Sequence, residues 1–369
     1  MEVPVSQRAI YLHVGPPKTG TTYLQDVLWG NRPRLAELGF AFPGHRLADH
    51  FHAALDLRGM QFGGYDHPDV PGAWTRLAKA ATASGQPRVI VSHEIFGGAD
   101  EQQIARLAAD LAPHELHLVF GARDVARQLP AVWQESLKNR KSRTFDAFLA
   151  TALAQAGATP ARGFWRAQDI VRTLARWSDV IAAERIHVVT LPATGAATDT
   201  LWRRFATALS VPATGFDLEV ARPNASLSAE HAELLRRLNK ALPADLMWPE
   251  YERLVKHTFN RLPRGGTADE PPATRVRVPQ QYRQQLDDWS GRTCAALARS
   301  GYDIVGDLDD LIPGSEAFGA GADVLPDRVA DAAVAVLVTA LTDRPRRRTG
   351  ETKDRARTLM GQLRRGRGQ

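Results

Sequence analysis

The chain has 369 residues, 44% of them hydrophobic, and a formal net charge of +6. That is ample for one α/β domain of about 300 residues. A single cysteine, Cys294, excludes a disulfide framework and any cysteine-built zinc cluster, and its helical surroundings read as a buried thiol. Between Arg344 and Gln369 stand ten Lys or Arg and two acids, a net +8. The rest of the chain therefore carries −2, so the basic balance belongs to the tail.

Short apolar runs predict strands at 9–14 (AIYLHV), 88–92 (RVIVS), 116–122 (LHLVFGA) and 185–191 (RIHVVTL). Helical spacing predicts helices over 22–34, 71–84, 102–111, 126–139 and 169–182. Such alternation predicts an α/β domain with a parallel sheet covered on both faces. Beyond residue 191 the pattern turns mainly helical, over 199–210, 228–242 and 278–301. Ser228 and Pro279 read as start signals for the last two. Residues 260–275, rich in Gly, Pro and Arg, read as a loop.

The expected organisation is a domain over 1–313, a linker and amphipathic helix over 314–343, and a basic disordered tail over 344–369. The tail is either a solvated segment or a contact for an anionic membrane, polymer or nucleic acid. Residues 332–343 form the most apolar segment and are too short to span a bilayer. With no basic region leading into a long apolar run at the start, the expectation is a soluble, cytoplasmic protein.

Residues 13–25, HVGPPKTGTTYLQ, place a glycine-framed loop between the first strand and the first helix. Gly15 and Gly20 let backbone N–H groups turn inward, and the following helix adds its N-terminal donors. An ATP-binding loop carries its lysine directly after the second glycine, whereas here Lys18 precedes Gly20 by two residues. Neither neighbouring strand closes cleanly on an Asp for Mg²⁺.

PKTGTTY, from Pro17 to Tyr23, resembles the 5′-phosphosulfate loop of the PAPS-dependent sulfotransferases, roughly PKSGTTW. It is similar above all to sulfotransferase-like proteins of actinobacteria, over about residues 8–312. The resemblance implies a P-loop-type parallel sheet flanked by helices, with a helical C-terminal part. It implies 3′-phosphoadenosine 5′-phosphosulfate (PAPS) as cosubstrate, without a metal. Lys18 would then stabilise the leaving oxygen, while Thr19, Gly20, Thr21 and Thr22 hold the 5′-phosphate. Tyr23 stands where the family stacks a tryptophan on adenine, or it is a core residue.

Arg123 ends a central strand where the family binds the 3′-phosphate, or it pairs with Asp124. The family's serine eight residues on is replaced by Ala131, so Arg127, Gln128, Trp133 and Ser136 all stand as second ligands. Asn224 and Ser226 either touch the nucleotide or cap a helix. Arg261, Arg264, Gly265 and Gly266 loosely match a late basic loop that closes on the 3′-phosphate, or form plain surface. His93 and Glu94, at the end of the 88–92 strand, are rival general bases; neighbours leaving a strand point apart, so only one is expected to face the donor. The acceptor is a hydroxyl or amine on a small molecule, carbohydrate or lipid. The histidines of 45–67 match no known zinc spacing. A P-loop small-molecule kinase and a non-catalytic nucleotide binder are the alternatives.

Overall fold

The structure, a computed structural model, describes residues 8–219, 226–262, 274–322 and 324–342. Asn224, Arg264, Gly265, Gly266 and the basic tail lie outside the described residues.

Among the described residues there are eight strands: β1 (Ala9–Val14), β2 (Phe40–Ala41), β3 (Arg88–Ser92), β4 (Glu115–Ala122), β5 (Ile186–Thr190), β6 (Val278–Pro279), β7 (Asp303–Val305) and β8 (Phe318–Gly319). Six make one sheet in the order β2-β3-β1-β4-β5-β7, with every described pairing parallel. The protein is thus α/β, with the sheet flanked by helices and a mainly helical C-terminal part. The four longer strands fall where apolar runs predict them. The edge strands β2 and β7 are too short to leave such a run.

Side-chain alternation splits the sheet into two buried faces. Ile10, Leu12, Val14, Val89, Val91, Leu118 and Phe120 face one way. They pack under α3 (Ala48–Leu57), α4 (Ala73–Thr82), α5 (Glu101–Leu111) and the helix Ile170–Ser178. Tyr11, Ile90, Val119 and Val189 face the other way, under α1 (Thr21–Gly30), α2 (Arg32–Glu37) and the helix Thr200–Ala208. A third core joins α6 (Val125–Lys138) to the helices Phe145–Ala154 and Ala229–Ala241, with Val278 and Phe318.

The helix predicted over 22–34 is two helices, broken at Asn31, whose amide donates to the carbonyls of Val27 and Asp217. Pro279 does not open the 278–301 helix. It lies in β6, paired with β8, and the helix starts at Arg283. Ser228 caps its helix as expected, accepting from the His231 N–H. The helix Pro326–Thr342 packs on Ala229–Ala241, burying Val329 and Ala332 and exposing Leu337 and Leu341. Among the described residues no helix is long and apolar enough to cross a membrane.

Connections from β1 pass to one face of the sheet and those from β3 to the other. The crevice outside the carboxyl ends of β1, β3 and β4 is therefore a switch point, the usual place for a ligand on such a sheet.

Candidate active site

Between β1 and α1 the chain turns through Gly15–Gly20. Each carbonyl from 16 to 18 is tied down by a side chain. Thr19 Oγ1 donates to the Pro16 carbonyl at 2.9 Å, Gln128 Nε2 to Pro17 at 2.5 Å, and Arg123 Nη1 to Lys18 at 3.0 Å. A peptide's N–H points opposite to its C=O, so the N–H groups of Lys18 and Thr19 are aimed the other way. Among the described residues, the N–H groups from Lys18 to Tyr23 have no protein acceptor. Thr21 is buried, and its Oγ1 also lacks a partner there. Consecutive unspent donors at a helix N-terminus form a nest for an anion.

Close approach makes the nest. A Cβ on Gly121 of β4 would meet Thr19 Oγ1 at 3.0 Å, and one on Gly97 would meet the Gly15 carbonyl at 2.9 Å. The loop thus sits directly on two glycine surfaces that the motif itself does not contain. Gly20 has φ +81° and lies under Leu201. Lys18 has φ +74°, a left-handed conformation that costs a side-chain-bearing residue about 1 kcal/mol.

Lys18 Nζ donates to Glu135 Oε2 at 2.6 Å. Lys256 Nζ stands 3.7 Å from the other oxygen of that carboxylate. Burial alone would raise the Glu135 pKa, but Lys18 and Lys256, with a smaller effect from Lys138, hold it at about 2. Lys138 is buried, and desolvation, followed by the Lys18 charge, lowers its pKa to about 8. The loop therefore opens on three ammoniums around one carboxylate.

Arg123 does not pair with Asp124. Asp124 instead caps α6 and holds Arg127. Burial, then Arg127, pushes the Arg123 pKa down to about 10, and its buried Nε has no partner among the described residues. A pocket beside it is lined by Pro16, Gln128, Gln168, Ser290 and Thr293. Gln128 Oε1 is buried nearby, again without a partner there. Ser136 does not join this pocket. Its hydroxyl donates to the Trp133 carbonyl at 2.6 Å, a helical step away from the face that carries Gln128 and Glu135.

Tyr23 is half-buried against the core around Trp202. Burial, then Asp199, raises its phenol pKa. Thr22 is half-buried.

At the end of β3, all three polar groups of Ser92 are held. Its Oγ meets His13 Nδ1 at 2.7 Å, its N–H donates to His50 Nδ1, and its carbonyl accepts from Gln25. His93 follows directly and donates its N–H to the His13 carbonyl. His93 Nδ1 accepts from the Ile95 N–H at 3.2 Å, so the neutral ring carries its proton on Nε2. Burial lowers the His93 pKa despite the Glu94 charge. Glu94 does not point away from His93: a tight turn begins at Glu94 and brings Oε2 to 3.9 Å from His93 Nδ1. Both side chains occupy one side of the strand end.

His52, His67 and Asp69 have potential ligand atoms within 4.8 Å of one another. However, Asp69 pairs with Arg46 at 2.9 Å, and His67 Nδ1 accepts the Asp69 N–H.

Sequence reading placed Lys18, Arg123, His93 and Glu94 at three adjacent strand ends but missed Glu135, Lys138 and Lys256. Gln128 and Glu135 are seven apart in one helix, two turns on the same face, and that spacing was the available signal. Lys256 left no local signal.

No protein-family model matches the chain, nor does any curated protein match it significantly. Among solved structures, a sulfotransferase from Alicyclobacillus acidocaldarius is similar at 14% identity and a TM-score of 0.41, over 80% of this chain and 97% of that one. The fold assigned above rests on strand order and not on that likeness.

Proposed function

We propose that the protein is a sulfotransferase that moves a sulfuryl group in line from PAPS to an acceptor hydroxyl or amine. The observation that carries this reading is the row of unspent N–H donors from Lys18 to Tyr23, with an ammonium at its mouth. In this reading the nest and the Thr21 hydroxyl hold the 5′-phosphate. Lys18 leaves Glu135 and meets the bridging oxygen as charge grows on it. The ammonium supplies that charge directly, so the transfer is metal-independent. A sulfuryl group is less charged than a phosphoryl group, and one cation suffices.

Arg123 and the hydroxyl of Ser290 take the 3′-phosphate, in place of Ser136, while Gln128 spends both its N–H groups on the Pro17 carbonyl and Gln168 and braces the loop. Tyr23 flanks the adenine. His93 or Glu94 takes the acceptor's proton. Glu94 is the better placed of the two while His93 Nδ1 stays bonded to Ile95; His93 serves if that weak bond opens.

Calorimetry with 3′,5′-bisphosphoadenosine tests the reading. Micromolar binding without Mg²⁺ is expected, followed by turnover with PAPS. Absence of binding at high micromolar concentration, or Mg²⁺-dependent binding of ATP instead, refutes it. Binding of the bisphosphate with no turnover on any acceptor would point to a non-catalytic binder.

A further inference from the structure

Lys18, Lys138 and Lys256 surround the single carboxylate of Glu135. Two of these lysines do not form a solvated surface: the Lys138 residue is 9% exposed and the Lys256 side chain 14%. Among the described residues, no hydrogen bond or ion pair reaches the Lys138 ammonium. Three positive charges against one negative leave +2. On the function proposed above, the phosphosulfate's two negative charges are met by the N–H nest and Lys18, and Glu135 faces Lys256, which leaves the Lys138 ammonium with no anion of its own. An ammonium on a mostly buried side chain with no anionic partner favours a counter-ion.

The surroundings say what carries that counter-ion. Lys256 lies over the rings of Phe62 and Trp248, at 4.8 and 5.4 Å from their centroids. Phe62 packs edge-on against Phe51 at 5.2 Å, and Phe51 packs against His93 at 5.2 Å. Phe51 and Phe62 are only half-buried. An aromatic path therefore runs from the candidate base to the lysines.

Resting on the sulfotransferase reading, we propose that the acceptor is itself an anion. Its hydroxyl sits on a flat apolar body lying along Phe51 and Phe62. Its carboxylate, or another oxyanion, is taken by Lys138 and Lys256. These two lysines select the acceptor, and Lys18 remains with the sulfuryl group.

Equilibrium binding to the full chain is the test, measured by calorimetry. The probes are 4-hydroxyphenylacetate and its uncharged amide, with inorganic sulfate alone as a third arm. Wild type, Lys256→Met and Lys138→Met are compared; if Lys138→Met does not fold, Lys256→Met decides. The carboxylate is expected to bind at least about tenfold more tightly than the amide, a single charge-assisted contact's worth, and Lys256→Met to remove that preference. Equal binding, no binding, or a preference that survives replacement overturns the inference. Sulfate binding with neither organic probe bound also overturns it, because the lysines then hold only free anions. Bisphosphate binding without a carboxylate preference removes this inference and leaves the sulfotransferase reading. A carboxylate preference without bisphosphate binding does the reverse.

Discussion

Glu135→Gln removes the one negative charge among three ammoniums while nearly keeping the side chain's shape. The native pKa of about 2, against an ordinary value of 4.5, corresponds to roughly 3 kcal/mol of stability at neutral pH. The Glu135 side chain is 26% exposed, so solvent screening does not erase this. The native pKa is depressed, so the contribution is complete above the unfolded value of 4.5 and is lost as pH falls through about 2. At pH 3 the same two pKa values leave about 1 kcal/mol. Urea unfolding of wild type and variant at pH 7 and pH 3 measures both. The variant should be about 3 kcal/mol less stable at pH 7, and the gap should shrink by more than half at pH 3. An equal gap at both pH values, or no gap at pH 7, refutes the electrostatic account of this cluster.

Three other outcomes follow from the proposed chemistry. Lys18→Met should lower turnover with PAPS by about 10²–10³, while bisphosphate binding changes only a few-fold; single-turnover kinetics and calorimetry separate the two. Arg123→Gln should weaken bisphosphate binding by about 10- to 100-fold through loss of a charge-assisted contact, again read by calorimetry. If His93 is the base, kcat/KM should rise with pH through a value below 6.5 and stay level above it, because burial favours the neutral ring. His93→Ala would then abolish that acid limb, whereas a limb unchanged in His93→Ala and lost in Glu94→Gln assigns the proton to Glu94.

Strands β1 and β3 were legible to the residue, because a strand buried on both faces must be a continuous apolar run. The loop was legible for a local reason too: its glycines and threonines are consecutive. Arg123 could be placed because it ends such a run. The ion pair of Lys18 with Glu135 spans 117 residues, and nothing in either segment announces the other. Nor do Gly97 and Gly121 look special in sequence, since their smallness matters only against a loop from another strand. Asn31 reads as an ordinary helical residue until Asp217, 186 positions on, supplies a competing acceptor. Pro279 has the right chemistry to start a helix, but pairing with β8 took it first.

The bracing of the loop has a consequence of its own. Arg123, Gln128 and Glu135 all reach it from β4's end and the helix that follows, and Lys138 leaves that same helix. A tilt of α6 would therefore shift the loop's N–H nest and the lysine cluster in one movement. On the proposed function, acceptor choice is best altered at Phe51 and Phe62, because Lys256 shares Glu135 with Lys18 and cannot change without touching the loop.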